Sequence, residues 1–128
     1  PETNIGCVAL TRDGGVSWRA PTGRQVSGFR ACVACGVYRG GPLLIAVGRN
    51  GSDYSLDGGE SWHPLSTPRY HAIEFAPKRK PDTESSLATS PRVTDSTTVA
   101  WSVGPEGTIA HWSIASSRDQ NEAGKPLR

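Results

Sequence analysis

The chain has 128 residues, a formal net charge of +2 and a hydrophobic fraction of 35%, with 15 glycines and 10 prolines. That length suits one small domain, and so turn-rich and apolar-poor a composition favours many short strands over helices. No apolar run is long enough to span a bilayer, and a weak basic excess without a groove-entering motif gives no basis for nucleic acid as a partner.

Residues 1 to 4 read as a polar lead-in, and Ile5 to Thr11 as a strand. The strand runs into the octet Thr11-Arg12-Asp13-Gly14-Gly15-Val16-Ser17-Trp18. Arg19 to Gly28 is polar and turn-rich and predicts a crossing to the next unit. Phe29 to Val37 reads as that unit's first strand, followed by the turn Arg39-Gly40-Gly41-Pro42. Leu43 to Val47 is continuously apolar, as a strand buried on both faces would be. Gly48-Arg49-Asn50-Gly51 holds an Asn-Gly hairpin signal, and Ser52 to Ser55 follows as the third strand. Then comes a second octet, Ser55-Leu56-Asp57-Gly58-Gly59-Glu60-Ser61-Trp62, with Trp62 to Leu65 as the fourth strand.

A third unit opens at Tyr70 to Phe75. The insertion Ala76 to Ser96 starts with Lys78-Arg79-Lys80 and is rich in Ser, Thr and Pro, which predicts a mobile loop. Thr98 to Val103 resumes the unit. Gly104-Pro105-Glu106-Gly107 aligns with Gly48 to Gly51 through a shared Val-Gly-x-x-Gly pattern. Thr108 to Trp112 reads as the third strand and Ser113 to Ser116 as a short fourth, before a polar tail over 117–128.

The two octets share a hydroxyl residue, Asp, Gly-Gly, Ser and Trp at identical offsets, and Asp13 and Asp57 lie 44 positions apart. A period of that size marks stacked repeats. Each octet has the chemistry of a hairpin turn. Asp supplies an acceptor for turn amides, Gly-Gly supplies backbone freedom at positive φ, and the hydroxyl can bond locally to backbone. The Trp then enters a strand, where its ring can pack between sheets.

The octet resembles the Asp-box of the bacterial-neuraminidase-type (BNR) repeat family, Ser/Thr-x-Asp-x-Gly-x-Thr/Ser-Trp. Thr11, Asp13, Gly15, Ser17 and Trp18 match it in one copy, and Ser55, Asp57, Gly59, Ser61 and Trp62 in the other. The run Leu44 to Tyr54 also looks like this family. The resemblance is closest to its non-sialidase branch, the photosystem II stability/assembly factor-like and WD40/YVTN/BNR-like proteins, and covers most of residues 5 to 113. It implies an all-β fold of four-stranded antiparallel β-propeller blades, with each Asp-box in the turn between third and fourth strands. On that reading residues 1–28 end a partial blade, 29–69 form a complete one, and 70–116 form a degenerate third blade interrupted at 76–96. An incomplete propeller, a segment of a longer chain, is the expectation, and such a segment alone should aggregate or oligomerise. An extracytoplasmic location is also what the resemblance favours.

The family includes sialidases, whose catalytic site is one thing the acids and cations of this chain could form. A sialidase needs three arginines on a carboxylate, a Tyr-Glu nucleophile pair and an acid/base Asp. Tyr70 and Glu74 share parity on one strand, which is proximity only. Asp13 and Asp57 are claimed by turns, Glu60 reads as an exposed turn position because Val16 replaces it in the other copy, and Asp82, Glu84 and Asp95 fall in the insertion. His63, His71 and His111 share no ligand spacing. The octets lack the dense acids of a calcium loop. Cys7, Cys32 and Cys35 are odd in number, and Cys32 and Cys35 should face opposite sides of a strand, so they read as packing residues. Trp18, Trp62, Trp101 and Trp112 read as packing between units. No catalytic residue, metal or cofactor is therefore expected. Two function classes stand: a non-catalytic interaction or assembly scaffold, partnered by protein or by the rest of its own propeller, and part of a sialidase-like glycoside hydrolase whose catalytic residues lie elsewhere.

Overall fold

The computed structural model describes residues 8–77 and 97–115. The fold is all-β and antiparallel. Strands β1 (Cys32–Tyr38), β2 (Gly41–Gly48), β3 (Gly51–Ser55) and β4 (His63–Ser66) form one sheet in sequential order. Strands β5 (Ala72–Phe75), β6 (Thr98–Val103) and β7 (Ile109–Ile114) form a second, also sequential.

Local chemistry accounts for this meander. Arg39 and Gly40 close the β1–β2 hairpin with φ of 49° and 79°, the pair of left-handed residues that matches the twist of a two-residue hairpin. The Arg39 guanidinium lies 5.2 Å from the centroid of the Tyr38 ring. The β2–β3 hairpin closes at the Gly48–Gly51 pair around Arg49 and Asn50. In β1 the side chains alternate, with Cys32, Ala34, Gly36 and Tyr38 partly buried and Val33, Cys35 and Val37 exposed. Central β2 is buried on both faces, as its unbroken apolar run requires.

Those two faces of β2 feed two cores. Leu43, Ile45 and Val47 pack with Tyr70, Ile73, Phe75, Ala100 and Ile114 of the second sheet. Ala46 packs on the opposite side with Trp62 and Val26, with Val8 and Leu44 at the margin. Burying each large aliphatic side chain contributes about 1.5–3 kcal/mol. The entry into each sheet is also alike. The Ala31 N–H donates to the Val47 carbonyl at 2.8 Å, and the His71 N–H donates to the Val103 carbonyl at 2.7 Å. The Tyr70 N–H donates to the Gly48 carbonyl at 3.1 Å and ties the sheets together.

Several sequence expectations need correction. Among the described residues, the stretch expected as a strand before the first octet makes only one bridge, Leu10 with Arg19. Phe29 lies outside β1 and is exposed. Thr108 is not in a strand: Pro105 to Gly107 form a 3₁₀ turn, with Glu106 at φ 57°, and the Thr108 N–H donates to the Pro105 carbonyl. This longer turn pairs Val103 with Ile109, whereas Val47 pairs with Ser52, so the two hairpins differ in register. Ser113 and Ile114 continue β7 and do not start a fourth strand. The insertion's basic run and the tail lie outside the described residues, as does Cys7.

Candidate functional site

The two octets adopt one backbone. Gly14 and Gly15 have φ of 73° and 95°, and Gly58 and Gly59 have 74° and 96°. Glycine carries these left-handed positions without a Cβ clash.

The side-chain bonds repeat as closely. Thr11 Oγ1 donates to Asp13 Oδ1 at 2.9 Å and accepts the Gly15 N–H at 2.8 Å. Ser55 Oγ donates to Asp57 Oδ1 at 2.8 Å and accepts the Gly59 N–H at 2.9 Å. Asp13 accepts the Ser17 N–H at 2.9 Å, and Asp57 accepts the Ser61 N–H at 2.9 Å. The indole N–H of Trp18 donates to the Gly15 carbonyl and that of Trp62 to the Gly59 carbonyl, both at 3.0 Å. Donors crowding a carboxylate favour its charged form. The hydroxyl and N–H of Ser17, with Thr11, hold Asp13 down at about 2. At Asp57 burial pushes the other way, but the bonds from Ser61 and Ser55 prevail and its pKa is lowered.

Geometry is shared, surroundings are not. Trp62 is 2% exposed between Val26 and Ala46, while Trp18 is 61% exposed. Trp101 is exposed too, and Trp112 is half-buried, edge-on to Tyr70 at 5.7 Å. The expectation that all four tryptophans pack between units therefore holds for Trp62, which meets Val26 of the preceding unit, and fails for the exposed Trp18 and Trp101, while Trp112 meets Tyr70 and Ser102 of its own unit.

Glu60 corrects a second expectation. It is not a dispensable turn position but the tie between the octets. Its carboxylate accepts from Arg19, from Arg12 at 3.1 Å, and from the Thr22 N–H and hydroxyl at 3.2 and 3.3 Å. Its carbonyl accepts the Gly23 N–H at 3.0 Å, and beside it the Trp62 N–H donates to the Arg24 carbonyl at 2.8 Å. The Arg19 contact, above all, holds Glu60 well below the usual carboxylate range and raises Arg19 in return. Val16, at the same place in the first octet, is exposed and touches nothing comparable.

A third ionic feature was not read from the sequence. Asp53, fully buried in β3, accepts the Arg30 Nε–H at 2.7 Å and lies 2.5 Å from a terminal guanidinium nitrogen. The Ser27 N–H and hydroxyl complete its shell at 3.1 and 2.8 Å. This clamp fixes the connection between the first octet and β1. The available signal was an acid within a strand, where Asp is disfavoured unless something holds it.

Among the described residues, Arg12, Arg19 and Arg30 are engaged by Glu60 and Asp53, and the octet carboxylates by their own turns. Tyr70 and Glu74 do not share a surface: Tyr70 is buried between the sheets, and Glu74 is exposed on β5. Tyr70 precedes β5, so strand parity does not apply to it. His63 stacks near Tyr54 and His111 near Trp101, at 5.4 and 4.6 Å, far from one grouping. No cluster of three or more His, Cys, Asp or Glu residues is gathered as a metal site among the described residues. Cys32 and Cys35 are free thiols on opposite faces of β1. No helix among the described residues is long and apolar enough to cross a membrane. No family model matches the chain, and neither a curated protein nor a solved structure matches it.

Proposed function

We propose that this chain is a stack of Asp-box repeats of β-propeller type that serves as a non-catalytic scaffold for binding or assembly, as the resemblance to photosystem II assembly factor-like proteins implies. The supporting observation is where the acids go. Asp13 and Asp57 are consumed inside their turns, Glu60 joins one repeat to the next, and Asp53 locks the connection between them. A glycosidase must instead hold two reactive groups across one bond in a shaped pocket. Chemistry spent on joining repeats suits a molecule whose output is its surface. The partner on this reading is protein. The test is an assay of the purified chain against a fluorogenic sialoside and simple glycosides, beside Tyr70→Phe and Glu74→Gln variants. No turnover is expected; turnover that either substitution lowers would overturn the proposal.

A further inference from the structure

Among the described residues the repeat stack is open at two faces, and the two are counterparts. The Val-Gly-x-x-Gly turn aligns β6 with β2, so Trp101 and Val103 stand where β2 places Ile45 and Val47. Ile45 and Val47 are sealed by the second sheet, but Trp101 is 51% and Val103 47% exposed. Ile109, paired with Val103, extends this apolar surface, and His111 lies on Trp101. At the other face, β1 pairs with β2 as β5 pairs with β6: Cys32 meets Val47 as Ala72 meets Val103. Val33 and Cys35 therefore stand where β5 places Ile73 and Phe75, the residues that cover the first sheet. Val33 is 59% exposed, and Cys35 is exposed beside it. The first octet and its connection cover Ala46 but leave this part of β1 open.

One face thus carries the residues that are covered inside the stack, and the other carries the residues that do the covering. We propose that the open face of β5–β7 receives the β1 face of a second copy of this chain, with Val33 and Cys35 covering it as Ile73 and Phe75 of β5 cover the first sheet within one molecule. The inference rests on the repeat-stack reading above and names its partner. Because the two surfaces differ, the contact is head-to-tail, and it propagates until the rotation between copies closes a ring. A large exposed aromatic amid aliphatic neighbours is the kind of anchor such contacts use.

The experiment is analytical ultracentrifugation of the full chain, with Val33→Glu and Trp101→Glu variants alone and mixed. Both substitutions fall at exposed positions, and circular dichroism checks that each variant folds. The unaltered chain should associate as concentration rises. Each variant alone should be monomeric, because one has lost its covering face and the other its covered face. Their equimolar mixture should form dimers and stop there, since each pair has one intact head and one intact tail. A Trp101→Cys variant gives an independent reading: on oxidation, position 101 of one molecule should link to Cys35 of another, and Cys35→Ser should abolish the link. A monomeric unaltered chain overturns the proposal, as does association that neither Glu substitution weakens. Dimers that survive Val33→Glu but not Trp101→Glu would show a symmetric contact through the last sheet and overturn it equally. The glycoside assay on the same samples separates the two readings. A monomer without turnover sinks self-association alone, and turnover lowered by Glu74→Gln sinks the scaffold whatever the assembly state.

Discussion

The Phe75 ring lies so close to Gly36 that a methyl group at position 36 would sit 2.6 Å from its Cε1 and 2.7 Å from its Cδ1. This is the point where β1 and β5 approach across the main core, and it explains why β1 has no side chain at that position. Gly36→Ala should destabilise the fold by about 1–3 kcal/mol, the usual cost of overpacking. Thermal unfolding of Gly36→Ala, Phe75→Leu and the double variant checks it. The two substitutions should be less than additive, because the smaller side chain makes room for the methyl group.

Within the second octet the hydroxyl should matter more than the acid. Ser55 is fully buried and accepts the Gly59 N–H inside the protein, so Ser55→Ala orphans a buried donor and should cost about 1–3 kcal/mol. Asp57 is exposed, and the Ser61 amide it releases can turn to water, so Asp57→Ala should cost about 1 kcal/mol. Denaturant unfolding of the two variants checks the order. The reverse order would mean that the carboxylate, not the hydroxyl, holds the turn.

The ionic tie should make stability depend on acid. Glu60 is lowered from an ordinary 4.5, and Asp13 from 3.8 to about 2. A carboxyl that is more acidic when folded contributes its stability above its unfolded pKa and loses it as pH falls through the folded one. The unfolding midpoint should therefore be flat above about pH 5 and fall from there towards pH 2. Glu60→Gln should lower the plateau and flatten part of that fall, and added salt should weaken the tie because it is solvent-accessible. A midpoint with the same acid limb in Glu60→Gln would show that Arg19 and Arg12 contribute nothing.

The buried clamp should be costly to halve and cheap to replace. Asp53→Ala leaves the Arg30 guanidinium buried without its counter-ion, and about 3–5 kcal/mol should be lost. Exchanging both partners for apolar residues, Arg30→Met with Asp53→Leu, should recover most of it. Chemical denaturation of the single and double variants provides the comparison.

What could be read from the chain alone was what is local. The octets make their bonds within five consecutive residues, so a motif in the sequence is already the structure: Ser55 to Gly59, Asp57 to Ser61. The sequential sheets were legible for the same reason, since every pair of neighbouring strands except β5 and β6 is joined by a short stretch with its own residue signature. Glu60, Asp53 and Gly36 were misread or missed because their partners are distant in sequence. Arg12 lies 48 positions from Glu60, and Arg30 lies 23 from Asp53. The exposure of Trp18 was hidden for a related reason: its own octet is intact, and only the neighbours that bury Trp62 are different. The β6–β7 register was lost to one local detail, the left-handed Glu106 behind Pro105, which lengthens a turn that the glycines alone made look equal.

The connections within the two sheets also set an order of assembly. In the first sheet β1, β2 and β3 follow one another through two-residue turns, so those contacts close with little loss of chain entropy. Strand β5, by contrast, meets β6 only after residues 76 to 97. A connection roughly ten times longer raises the entropic cost of closure by about 2 kcal/mol on chain length alone. The four-stranded sheet should therefore form first and present Leu43, Ile45 and Val47 as a ready template. The second sheet then gathers on that surface, and its slow step is the meeting of Phe75 with Ala100.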